Sequence, residues 1–233
     1  MLTVAILAGG LATRMRPATE TIPKSLLDVA GEPFVYHQLR LLQRRGITRV
    51  VFCLGYLGGQ IESAVGDGSQ FGLSVSYSYD GPELLGTGGA LRRALPLFGE
   101  SFFVLYGDSY LPCDFATVQA AFRESGKPAL MTVFRNEGRF DASNVIFENG
   151  IIVRYDKKEK NPRMQHIDYG LGILTANDLE YCIPAGTKYD LADLYRVLLE
   201  RGHLAGYEVF ERFYEIGSPQ GLRELAERIG FLP

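Results

Sequence analysis

The sequence is 233 residues long, 46% hydrophobic and 22% charged, with a formal net charge of −3. That composition belongs to a globular chain with enough length for one large core, and its mild acidity argues against nucleic acid or a membrane surface as a partner, since both reward a basic excess. Three scattered cysteines, Cys53, Cys113 and Cys182, show no CxxC spacing, which argues against a disulfide framework or a structural zinc site and suits a reduced, cytoplasmic chain.

In chain order, Leu2 to Leu7 is a short apolar run ended by Gly9-Gly10. Its basic residues follow the run, and it is too short to span a membrane, so it reads as a buried central strand and not as a leader. Pro33 to Arg45 carries apolar residues at helical spacing up to Gly46. "RVVFCL" reads as a second buried strand, "LGGQIESAVG" as a short helix and "LSVSYSY" as a strand. "GTGGALRRALPLF" turns helical until Pro96, "SFFVLYGDSY" is a strand that runs out at Gly107-Asp108, and "FATVQAAFRES" is an amphipathic helix. Strands alternating with helices predict right-handed crossovers and a parallel sheet.

After Lys127 the pattern changes. "PALMTVFR", "SNVIFENG", "IIVRYDKK" and "HIDYGLGILT" are strand-like, and Asn149-Gly150 between two of them signals a hairpin. "DLADLYRVLLERG" returns to helix, with Asp190 as N-cap and Asp193 favourably placed for the helix dipole. "FYEIGS" is a short strand and Pro219 to Ile229 a closing helix. The expected fold class is α/β, a Rossmann-like three-layer α/β/α arrangement with a mainly parallel central sheet and a β-rich insertion. One domain is expected over 1–233, with no hexapeptide repeat appended.

In open parallel sheets ligands bind beyond the carboxyl ends of the strands, and Gly9 and Gly10 lie at such an end. Glycines there let backbone N–H groups approach an anion, while Arg14, Arg16 and Lys24 add positive charge, a match for a polyphosphate. The P-loop GxxxxGK[ST] and the GxGxxG fingerprint are both absent. A strand-ending turn with a solvated basic loop is the plainer reading of the glycines alone, and the cations spaced with Pro17 and Pro23 favour the ligand.

"LAGGLATRMRPATETIPKSLLDVAGEP" resembles the signature of the sugar-1-phosphate nucleotidyltransferases, roughly L-A-[GA]-G-x-G-T-R-[LM]-x-P-x-T followed by P-K-x-[LM] and a G-x-P turn. Ala12 stands where that family usually has glycine. The resemblance implies that backbone at Leu7, Ala8, Gly9 and Gly10, together with Thr13, holds a nucleoside triphosphate. It also implies that Arg14 and Lys24 act on the phosphates as the catalytic cations; Arg16 matches a less constant place. Asp108 falls on the family's metal-binding aspartate, and a carboxylate at a strand end beside phosphates suits Mg²⁺. Glu215 in "YEIGSP" occupies the place of the second metal-binding carboxylate, usually aspartate. "ELLGTGGAL" is similar to the family's base-proximal L-G-T-G-G segment, which implies nucleotide contacts from Glu83, Thr87 and Gly88.

"VRYDKKEK" resembles the family's F-x-E-K segment and puts Lys158 on the sugar-phosphate lysine, with Lys157 where the family often has Glu. "DYGLGIL" resembles the strand that floors the sugar pocket, with Gly172 leaving room for the ring and Asn144 and Asp168 as hydroxyl partners. The chain would then be a Mg²⁺-dependent enzyme that joins a nucleoside triphosphate to a sugar 1-phosphate, releasing pyrophosphate. Residues 1–126 would bind the nucleotide and 127–233 the sugar phosphate. Partial resemblances to heptose-1-phosphate guanylyltransferases and to muramate- and hexose-1-phosphate uridylyltransferases point to bacterial cell-surface glycan precursors. A cytidylyltransferase for a phosphorylated alcohol such as phosphocholine and a non-catalytic nucleotide-sugar sensor are the competing readings. His37, His166 and His203 are isolated and Ser109 lacks a G-x-S-x-G context, so nucleophilic catalysis has no support.

Overall fold

The computed structural model describes residues 1–11, 15, 17–159 and 161–230. Strand β1 (Thr3–Ala8) opens the chain, and a two-residue hairpin of β2 (Asp28–Val29) and β3 (Glu32–Pro33) leads into helix α1 (Phe34–Arg44). Then come β4 (Arg49–Leu54), α2 (Gly58–Val65), β5 (Ser74–Tyr79), α3 (Gly86–Ala94), β6 (Ser101–Tyr106), the short β7 (Ser109–Tyr110) and α4 (Phe115–Ser125). The second half runs β8 (Ala129–Arg135), β9 (Val145–Glu148), β10 (Ile151–Tyr155), β11 (His166–Thr175), α5 (Ala176–Cys182), α6 (Leu191–Glu200), β12 (Leu204–Val209), β13 (Tyr214–Glu215) and α7 (Pro219–Gly230).

One nine-stranded sheet runs through both halves. Its first part, β5-β4-β1-β6, is parallel throughout. The long β11 then pairs antiparallel with β6 on one side and with β8 on the other. Strand β12 lies parallel to β8, and the β9–β10 hairpin joins through His166. The fold is α/β and Rossmann-like, as expected.

The apolar run of β1 explains its central place. Alternate side chains point to opposite faces of a strand, and here both faces are covered. Val4 and Ile6 pack with Leu39 and Leu42 of α1, while Ala5 and Leu7 pack with Leu91 of α3 and Leu194 of α6. A third cluster, Val29, Phe34, Leu41, Tyr110, Ile216 and Leu225, fastens α7 and β13 beside α1. Helix α5 and the six-residue strand β12 lie in stretches to which the sequence alone assigns no element. No helix among the described residues is long and apolar enough to cross a membrane.

Candidate active site

The carboxyl ends of β1, β4 and β6 open onto a cleft. Its floor is Leu7, Ala8, Gly9 and Gly10, and its far wall is Asp80, Leu84, Gly86 and Thr87. After β6 the chain must pass close to β1. The Gly107 N–H donates to the Leu7 carbonyl at 2.9 Å, and a Cβ on Gly107 would lie 2.8 Å from that of Ala8, so glycine is required there. The next residue, Asp108, is thereby delivered to the cleft mouth.

Lys24 arrives from the opposite side on a single 3-10 turn, Lys24–Leu26, that begins after Pro23. Ser25 Oγ pins this turn by donating to the Gly107 carbonyl at 2.8 Å. The result is a part-buried ion pair, Lys24 Nζ donating to Asp108 Oδ2 at 2.8 Å. Asp80 is buried and accepts the Leu85 N–H at 3.0 Å. Burial raises its carboxyl above the ordinary value, against the opposing pull of that amide and of Arg93. Cys53 also lines the cleft, and burial pushes its thiol well up, so it stays protonated and inert.

A second cleft shares Tyr106 and Asp108 with the first. Strand β13 pairs antiparallel with β7, setting Glu215 opposite Ser109, and the Ile216 N–H donates to the Asp108 carbonyl at 3.0 Å. Asp108 and Glu215 thus come from neighbouring segments and line the same cleft. Asp168 sits deeper. Its carboxylate is 6% exposed and accepts the Gly170 N–H at 3.0 Å and the Tyr155 hydroxyl at 3.3 Å. Asn144 Oδ1 accepts the Asp168 N–H at 2.8 Å. Lys157 Nζ lies 3.7 Å from Asp168 Oδ2 and 5.3 Å from the centre of the Tyr106 ring. The lining is rich in carboxylates: Asp141, Asp156 and Glu159 join Asp108, Asp168 and Glu215. Burial first, then the charges of Asp168, Asp190, Asp108 and Glu215, hold the Tyr106 phenol well above its ordinary range, as a neutral donor.

Of the residues singled out from sequence, Leu7, Ala8, Gly9, Gly10, Lys24, Thr87 and Asp108 meet at the first cleft, and Asn144, Lys158, Asp168 and Glu215 at the second. Three stand elsewhere. Glu83 is exposed and outside the lining of either cleft. Gly88 is buried against the side chains of Ile183 and Tyr189, and its neighbour Gly86 lines the cleft instead. Gly172 has no room for a ring beside it: a Cβ there would lie 2.1 Å from the Tyr195 hydroxyl. Thr13 and Arg14, with Ala12 and Arg16, lie outside the described residues.

Tyr106 and Asp80 line the clefts and were not singled out from sequence, whereas Lys157 was noted there only beside Lys158. A signal existed for Tyr106: it is the last residue of β6, at the carboxyl end of a parallel strand where ligands bind. Among the described residues no group of three or more His, Cys, Asp or Glu side chains is poised to hold a metal. Two carboxylates, however, suffice for Mg²⁺, which keeps waters and takes its other ligands from phosphates.

Comparison with known proteins identifies the family. The family model for nucleotidyl transferases matches residues 3–229. A UTP–glucose-1-phosphate uridylyltransferase from Synechocystis sp. is 31% identical over 214 residues, 84% of this chain and 55% of the relative. An N-acetylmuramate alpha-1-phosphate uridylyltransferase from Neisseria meningitidis serogroup B is 45% identical over 119 residues, 51% of this chain and 50% of the relative. The chain thus spans about half the length of these curated relatives. HddC from Yersinia pseudotuberculosis, solved as a complex with GMP-PN, shares the fold at a TM-score of 0.81 and 24% identity, over 98% of this chain and 100% of that one. With the match running from the first strand to the last helix, the chain belongs to the nucleotidyl transferase family.

Proposed function

We propose that the protein joins a nucleoside triphosphate to a sugar 1-phosphate, giving a nucleoside diphosphate sugar and pyrophosphate. The observation that carries this reading is the pair of clefts meeting at Tyr106 and Asp108, with Lys24 held over the junction. The first cleft suits a nucleotide: a backbone floor at Gly9 and Gly10 for phosphates and an apolar wall at Leu84 for a base. The second suits a polyhydroxyl ring, since carboxylates accept from hydroxyls and Lys157 and Lys158 supply charge for one phosphate.

The reaction needs no nucleophilic side chain. A sugar-phosphate oxygen, already anionic near neutral pH, attacks the α-phosphorus in line; the new O–P bond forms as the bond to the β-phosphate breaks, and pyrophosphate leaves. Repulsion between the two anions is the chief obstacle. Lys24 at the junction, Arg14 in the signature loop and the lysines of the second cleft offset it, and the clefts hold the reactants in register. Asp108 and Glu215 would hold Mg²⁺, whose charge, when bound, neutralises the phosphates. Residues 1–126 serve the nucleotide and 127–233 the sugar phosphate, within one domain and in the cytoplasm.

The two relatives named above are uridylyltransferases of sugar 1-phosphates, which favours uridylyl over guanylyl transfer to a hexose or heptose 1-phosphate; a role in bacterial surface glycans is part of the proposal. Phosphorus NMR of mixtures of four triphosphates with a panel of sugar 1-phosphates and Mg²⁺ tests the reading. A diphosphate diester should appear with pyrophosphate in one pairing; hydrolysis to the monophosphate alone, or no product in any pairing, would refute it.

A further inference from the structure

The loop between β8 and β9 brings Asp141 and Asn144 to the second cleft. Asn136, fully buried at its root, shapes it from within: its amide donates to the Asp141 carbonyl at 2.6 Å and its Oδ1 accepts the Phe140 N–H at 3.2 Å. Those bonds fix the loop's own form, and something else must fix its place relative to β13. Phe140 does so by packing edge-on against Phe213, ring centres 6.0 Å apart, and by taking the Arg212 guanidinium over its face at 4.1 Å.

The same guanidinium lies 4.8 Å from the centre of the Tyr214 ring, one residue before Glu215, and its Nη2 pairs with Glu224 of α7. Arg212 Nε is buried and has no hydrogen-bond partner among the described residues. A buried orphan donor carries a penalty, which the ring contacts offset.

We infer that Arg212 is a positioning residue: by contacting Phe140 and Tyr214 at once, it fixes the loop carrying Asp141 and Asn144 against the strand carrying Glu215, and so sets the width of the sugar-side cleft. The meaning given to that cleft rests on the proposed function. Arg212→Lys keeps the charge and can still reach Glu224 but loses the planar face; Phe140→Ala removes the ring, and Phe140→Tyr retains it. Each of the first two should raise KM for the sugar 1-phosphate about tenfold, with KM for the triphosphate unchanged. Their double variant should be less than additive, because both remove the shared Arg212–Phe140 contact although each also loses one of its own, and Phe140→Tyr should behave as wild type.

Amide hydrogen exchange should quicken over residues 137–144 in Arg212→Lys and Phe140→Ala alike. Equal shifts in both KM values, no shift in either, additive effects, or unchanged exchange over that segment would overturn the inference. If the wild-type protein turns over no sugar 1-phosphate, the proposed reaction fails, and the exchange comparison alone decides whether Arg212 holds the loop.

Discussion

Lys24 and Asp108 are held 2.8 Å apart by two unrelated devices, a proline-led turn on one side and a glycine at a strand crossing on the other. Groups so preorganised are worth most where charge develops, and losing one typically costs about 10²–10³ in turnover. Lys24→Ala and Asp108→Ala should each fall in that range while far-ultraviolet circular dichroism stays unchanged; near-normal turnover would remove both from the chemistry. Asp80 gives a prediction about pH. Burial raises its carboxyl above the ordinary 3.8 in the folded state, so the folded chain holds that proton more tightly than the unfolded one. Its contribution to stability is full below the ordinary value and is lost as pH rises through the folded-state value. Urea midpoints of wild type should therefore fall, relative to Asp80→Asn, as pH rises from 3.8; parallel curves would contradict the assignment. Gly172 and Gly88 show why glycine is hard to read in a sequence. A missing side chain looks the same whether it makes room for a ligand or for a neighbouring side chain, and here Tyr195 and Tyr189 take the space. Gly172→Ala should lower stability by about 1–3 kcal/mol, the usual scale of overpacking, in a denaturant titration.

At the scale of elements, legibility followed burial. Strands β1, β4 and β6 are covered on both faces, so their apolar runs were unmistakable, and β9–β10 was announced by Asn149 and Gly150, whose φ angles of 52° and 78° suit a tight hairpin turn. Strand β12 was illegible because of Gly206, which breaks its apolar pattern. A Cβ there would lie 2.6 Å from the Phe147 ring, so the cause is the tertiary packing of the β9–β10 hairpin. Helix α6 shows the reverse case, a local signal that proved more connected than its sequence suggested. Asp190 caps it by accepting the Ala192 N–H at 2.9 Å, and Thr87 of α3 adds a second cap by accepting the Leu191 N–H at 2.8 Å while donating to Asp190. The cap thus ties α6 to the wall of the first cleft. Asp190→Ala should cost about 1 kcal/mol of stability, read as a lowered urea midpoint.

For the whole molecule, Gly9-Gly10, the Asp108 turn and Glu215 are far apart in sequence; the first two converge because the neighbouring parallel strands β1 and β6 end on one edge, and Glu215 joins them through the pairing of β13 with β7. The floor of the first cleft, Leu7 to Gly10, and Lys24 were readable near the amino terminus, while its far wall at Asp80 and Leu84 was not. The second cleft was less readable, since its geometry depends on the turn into antiparallel pairing at β11 and on β13 docking beside β7. Joining the two clefts at one carboxylate is the central claim, and its most direct measurement is continuous pyrophosphate release with Mg²⁺. Release should require both a triphosphate and a sugar 1-phosphate, with neither sufficient alone, and should fall about 10²–10³-fold in Asp108→Ala. Release from the triphosphate alone at the same rate, or equal rates in wild type and variant, would contradict it.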